Sequence, residues 1–177
     1  GRVIDRLRDA FPGARLFVRL DGGFACPEIL DFLDEQPRLD YVVAIAKNSV
    51  LERRAKRLMG RARRLSRESQ KTERVFGECW YAAGKWSYKR RVVIKAEVVR
   101  LEGRSPKDNP RFVVTNLRRT PRAVYQRYRE RGDVENRIKE LHYGLQIDRT
   151  SCTSFWANQF RVLLTAAAYV LMQELRL

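Results

Sequence analysis

Tyr41-Val-Val-Ala-Ile-Ala46 is a short, continuously apolar run, and no other stretch constrains the fold more. A strand with one wet face alternates apolar and polar residues. One that does not alternate is covered on both faces, as happens in sheets flanked by helices. The residues before it supply such elements. Val3, Ile4, Leu7 and Phe11 recur at helical spacing among Arg2, Asp5, Arg6 and Arg8, and Pro12-Gly13 ends that helix. Arg15-Leu-Phe-Val-Arg-Leu20 reads as a strand running into Asp21-Gly22-Gly23. Pro27 then opens a helix carrying Ile29, Leu30, Phe32 and Leu33 to about Gln36. Helix, strand, helix, strand at this spacing predicts an α/β sheet with crossover helices.

At residue 51 the pattern changes. Residues 51–71 hold Arg53, Arg54, Lys56, Arg57, Arg61, Arg63, Arg64, Arg67 and Lys71 against Glu52 and Glu68. Leu51, Ala55, Leu58, Ala62 and Leu65 give them a thin apolar stripe, so the spacing predicts a basic helix lying on the surface. Three β-like segments follow, near 73–82, 86–101 and 111–117, separated by Ala83-Gly84 and by Gly103 to Pro110. Sequential strands with short connections form an antiparallel meander. Residues 51–117 are therefore read as a β-rich insertion in the fold begun by residues 1–50. Residues 118–177 form a helical part that completes the first fold, with Gly132 as a point where one helix can break from the next. Phe155 to Leu177 is apolar almost all round, which predicts a helix buried against the sheet with Phe155, Trp156 and Phe160 in the core.

The charge names a partner. With 37 Lys+Arg against 21 Asp+Glu, the chain carries a formal +16, and arginine outnumbers lysine. A field of this sign attracts polyanions, and guanidinium forks suit phosphate. Nucleic acid is the expected partner, with salt-sensitive binding; an acidic membrane surface is the competing one. Cys26, Cys79 and Cys152 are odd in number and far apart, and read as reduced, mostly buried thiols of a cytoplasmic protein. One histidine leaves too few ligands for a zinc site. The longest apolar run, Val162 to Met172, is well short of the roughly 20 residues a membrane span requires. A soluble protein is expected.

Two carboxylates stand out. Asp21 sits where a strand ends and a glycine turn begins, and ligands gather at the carboxyl ends of strands in open α/β sheets; an ordinary Asp-Gly turn looks the same. Far along the chain, Tyr128, Arg131, Glu135 and His142 fall on one flank of an apolar helical stripe of Val134, Ile138, Leu141 and Leu145. A solvated helix face laced with i,i+4 pairs also has this pattern. An Asp and a Glu together suit magnesium, which takes oxygen ligands and keeps positions open for water and phosphate. Trp80, Trp86 and Tyr88 lie beside Lys85, Lys89, Arg90 and Arg91, a mixture that can stack an unpaired base and grip its backbone. The same rings can equally form the core of a small sheet.

Tyr128-x2-Arg131-x3-Glu135-x6-His142 resembles the Tyr-x2-Arg-x3-Glu-x6-Lys signature of bacterial insertion-sequence DDE transposases. Leu20-Asp21-Gly-Gly-Phe24 and Phe155-Trp-Ala-Asn-Gln-Phe-Arg161 are similar to the same group, in the same order. The resemblance implies an α/β, RNase H-like core, incomplete at its N-terminus and interrupted by a β-rich insertion. It implies metal-dependent DNA end cleavage and strand transfer, with Mg2+ (or Mn2+) as cofactor. The expected partners are transposon ends and target DNA, bound by a homodimer in a cytoplasmic, nucleoid-associated setting. Asp21 would be the second Asp and Glu135 the Glu of the metal triad, with Tyr128 and Arg131 on phosphates. His142 stands where the signature has lysine, and neutral imidazole is the weaker anion partner. Trp86 would hold a flipped base, and Arg90, Arg91, Arg53, Arg54 and Arg57 would follow the DNA backbone. The first Asp belongs on a strand before the opening helix, where Asp5 and Asp9 do not fit, so the chain is expected to be a fragment with weak or no catalysis. A noncatalytic nucleic-acid-binding remnant and a different RNase H-like nuclease are the rival readings.

Overall fold

The computed structural model describes residues 1–130 and 132–176. They form two compact units, Gly1–Arg129 and Glu130–Leu177. The first unit opens with α1 (Arg2–Ala10), β1 (Leu16–Leu20), a 3-10 turn (Gly22–Phe24), α2 (Pro27–Glu35) and β2 (Leu39–Ile45). β1 and β2 run parallel, joined through α2. Tyr41, Val42 and Val43 are buried in succession, as expected of a strand covered on both faces.

Next come α3 (Ser49–Ser69), β3 (Glu73–Tyr81), β4 (Arg90–Val99), the two-residue β5 (Lys107–Asp108), β6 (Arg111–Thr115) and α4 (Pro121–Arg129). Their strands do not form a sheet of their own. β6 pairs antiparallel with β2, β4 with β6 and β3 with β4, giving the order β1-β2-β6-β4-β3. The change of pattern at residue 51 is thus a change of strand direction inside one sheet. Non-local pairing of β2 with β6 is invisible to local periodicity, whereas the switch from crossover helix to short loops is not.

Helices cover both faces. Leu30 and Leu33 of α2 and Leu51, Ala55, Met59 and Ala62 of α3 pack with Tyr41, Val43, Val92, Ile94 and Val114. On the other face, Val124 and Tyr125 of α4 pack with Val42, Val93 and Val113. That face also encloses charge: Lys95 donates to Glu97 at 2.7 Å, and Glu97 further accepts from Arg74 and Asn109. Burial works against the Glu97 carboxylate, but these hydrogen bonds outweigh it and hold its pKa below the ordinary value.

α3 approaches β3 closely because Gly77 makes room. A Cβ there would lie 2.6 Å from Leu58 Cδ1. Gly77→Ala is expected to destabilise by about 1–2 kcal/mol. Because Leu58 is the side chain that must yield, the Leu58→Ala, Gly77→Ala double variant should unfold at less than the summed cost in a denaturant titration.

The second unit holds α5 (Gly132–Lys139), a π-helical turn (Glu140–Gly144) and α6 (Phe155–Glu174). Glu140 accepts from Tyr169 at 3.0 Å and from Gln173 and Arg176 at 3.3 Å, tying the turn to α6. Within this unit no residue of α6 is buried, and Phe155, Trp156 and Phe160 are all exposed. Within its unit α6 has only the short α5 and the turn beside it, too little to enclose a helix apolar all round. The thiols depart from expectation, since Cys26 and Cys79 are half-buried and Cys152 is exposed. Among the described residues, no helix is long and apolar enough to cross a membrane.

Candidate metal and nucleic-acid site

Asp21 follows the last residue of β1 and caps the 3-10 turn, its Oδ1 accepting from the Gly23 N–H at 3.0 Å. The Asp-Gly-Gly sequence forms this turn because a short carboxylate reaches the backbone two residues on. The carboxylate is exposed, at the carboxyl end of a parallel strand. Glu135 is exposed in the first turn of α5, where the helix dipole favours an anion. Asp21 belongs to the first compact unit and Glu135 to the second. Among the described residues, no three His, Cys, Asp or Glu side chains group closely enough to hold a metal ion. Two carboxylates are hard oxygen donors and suit Mg2+ in kind.

A family model for "Transposase DDE domain group 1" matches residues 1–177. The chain belongs to this transposase family. Comparison with curated proteins and with solved structures found no match.

In this transposase domain the signature does not lie on one helix. Tyr128 belongs to α4, which ends at Arg129 in the first unit, whereas Glu135 belongs to α5 in the second. Arg131 lies outside the described residues. Tyr128 is half-buried, with its ring 5.7 Å from that of Tyr125. His142 sits in the π turn, its Nδ1 3.5 Å from Asp148 Oδ2. It lines a cleft of about 740 Å³ with Lys139, Tyr143 and Arg149. π turns are rare and cluster at functional positions; nothing in the local sequence announces this one.

Arg53, Arg54 and Arg57 are exposed on α3. Arg90 is not available to DNA: it is 3% exposed and paired with Asp31 and Asp34 of α2. Arg91 is also held internally, donating to Glu78 and to the carbonyls of Leu117 and Arg119. In sequence both read as surface charge; only their partners' tertiary positions show otherwise.

Trp86 is half-buried against the core, edge-on to Tyr81 at 5.4 Å and under the Arg90 guanidinium. Trp80 is the open ring of the two, at 65% exposure. It lines a cleft of about 580 Å³ with Tyr88, Lys89 and Arg118. The alternation of β3 carries the signal that finds it: Val75, Gly77, Cys79 and Tyr81 face α3, so Trp80 must face away. Trp86→Ala is expected to cost about 2 kcal/mol of stability. Trp80→Ala should change stability by under about 0.5 kcal/mol yet weaken binding to DNA with an unpaired base by roughly tenfold. Melting curves and anisotropy titrations of both variants check this.

Proposed function

We propose that this chain is the catalytic region of a bacterial insertion-sequence transposase that cleaves DNA at transposon ends and joins them to target DNA. β1, α2 and β2 would belong to an RNase H-like core, with residues 51–117 inserted into it and sharing its sheet. The observation that carries the reading is a family match over residues 1–177 together with a carboxylate, Asp21, at the carboxyl end of β1. Asp21 and Glu135 would hold Mg2+, which when bound supplies Lewis-acid stabilisation of the oxygens at the reacting phosphorus. A third carboxylate would complete the triad, and cleavage by Asp21 and Glu135 alone would be weak or absent.

The remaining residues position DNA. Tyr128 and Arg131 would contact phosphates. Lys139 and Arg149, which share the His142 cleft, would add two cations beside the signature lysine's place. The exposed cations of α3 give the backbone a sequence-independent grip. A homodimer on DNA in the cytoplasm, associated with the nucleoid, completes the reading.

A second reading, a DNA-binding domain without catalysis, draws on the lack of a three-ligand group among the described residues. The test is Mg2+-dependent cleavage of transposon-end DNA by Asp21→Asn and Glu135→Gln variants of the intact transposase. Undiminished cleavage by either variant removes that carboxylate from the metal site. No cleavage by the intact parent favours the second reading.

A further inference from the structure

We propose that the outward face of α3, centred on Gly60, docks the phosphate backbone of duplex DNA, with Gly60 as its point of closest approach. This rests on the reading of DNA as the substrate. The buried stripe of α3 is Leu51, Ala55, Met59, Ala62 and Ser66. At about 100° per residue, Arg53, Arg57, Gly60, Arg61, Arg64 and Arg67 all lie within roughly 60° of the opposite direction. Every one of them is exposed.

Gly60 has no internal reason to be glycine. It sits mid-helix, where only proline is a worse helix former. A Cβ there would meet nothing within 4 Å, and its φ is not in the left-handed region. Gly77, by contrast, is filled by Leu58. A glycine in open space at the middle of a guanidinium face lets a ligand's backbone come nearer than any side chain would allow.

The charges are placed to receive it. Among the described residues, the carboxylates within ion-pair reach of this helix's cations are Asp108, on Arg63, and Glu68, on Arg64. Arg53, Lys56, Arg57, Arg61 and Arg67 keep their full positive field. Beyond Arg67 the face continues into a cleft of about 790 Å³ with Arg100 and Lys107. There the buried Ser66 hydroxyl fixes the Arg100 guanidinium at 2.9 Å, a preorganised donor. At 1.5 Å per residue the helix is about 31 Å long, the length of roughly nine phosphates along one strand of a duplex. No aromatic residue occurs between Ser49 and Ser69, so the face offers no platform on which an unpaired base could stack. Duplex backbone is the occupant that fits.

The experiment uses the full 177-residue chain and a labelled 20-base-pair duplex, titrated by anisotropy from 50 to 200 mM salt. Gly60→Leu is expected to raise Tm by about 2–4 °C through better helix propensity, while weakening duplex binding about tenfold. An Arg53→Gln, Arg57→Gln, Arg64→Gln variant should lower the slope of log K against log salt by about 2.7. Gly60→Leu binding like the parent overturns the close approach. A triple variant with the parent's slope overturns the docking face, while the parent's own binding leaves the DNA reading standing. A parent that binds no duplex at 50 mM salt overturns the DNA reading itself. A triple variant that loses single-stranded DNA or anionic vesicles but keeps duplex assigns the face to another partner and overturns the proposal.

Discussion

In the intact transposase, Asp21→Asn and Glu135→Gln are each expected to lower metal-dependent cleavage by about a thousandfold or more, roughly 4 kcal/mol in the barrier, while leaving duplex affinity within about twofold. The substitutions are chosen by geometry. Asp21 Oδ1 accepts from the Gly23 N–H, and an asparagine oxygen caps a turn as well as a carboxylate does. The turn after β1 therefore survives, and a melting temperature within a degree or two of the parent's is the check. What the amide removes is the negative charge and anionic oxygen that a divalent cation needs. DNA affinity should hold or rise slightly, because a carboxylate facing phosphates repels them. A variant that loses cleavage and DNA binding together would point instead to a collapsed site. The measurement is initial cleavage rate at saturating DNA, beside anisotropy on the same duplex without metal.

Much of the fold was legible because it is written locally. The unbroken apolar run at Tyr41 announced the strand buried on both faces, and Asp21-Gly-Gly announced the turn at the end of β1. The apolar stripe of α3 marked which side of a heavily charged helix would be buried. What escaped depends on partners distant in sequence. Nothing near Phe112 or Val43 tells that β6 lies beside β2. A helical wheel through Tyr128 and Glu135 assumes a single helix, whereas the two residues belong to α4 and α5 in different units. The apolar composition of α6 says that it can be buried, not what covers it. Aromatic identity alone could not separate Trp80 from Trp86; the alternation of β3 could.

Arg90 shows the same limit most sharply, and its removal is the largest stability effect expected. Its Nε donates to Asp34 at 2.7 Å, its Nη2 pairs with Asp31, and its guanidinium lies 4.3 Å from the Tyr88 ring centroid. Nη1 is buried without a hydrogen-bond acceptor, so burial opposes the charge, yet the hydrogen bonds to Asp34 and Asp31 outweigh it and raise the pKa. Ser87 and Tyr88 donate to the same two aspartates, so Arg90 anchors the β3–β4 connection to α2. Arg90→Met keeps the volume and removes the charge, leaving two carboxylates facing each other. A loss of about 3 kcal/mol is expected, the lower end for breaking a buried pair because both aspartates keep some solvent contact. Lysine should recover little, since one ammonium cannot span both acids. Acid supplies the signature. The Ser87 hydroxyl and Arg90 hold the Asp31 pKa below its ordinary value, so the contribution of Asp31 to stability is complete above the unfolded pKa of about 4 and fades as pH falls through the lower folded value. The Tm difference between parent and Arg90→Met should therefore be widest near pH 7 and narrow below about pH 4. A difference that stays constant across that range would mean that packing, and not the ion pairs, is what Arg90 contributes.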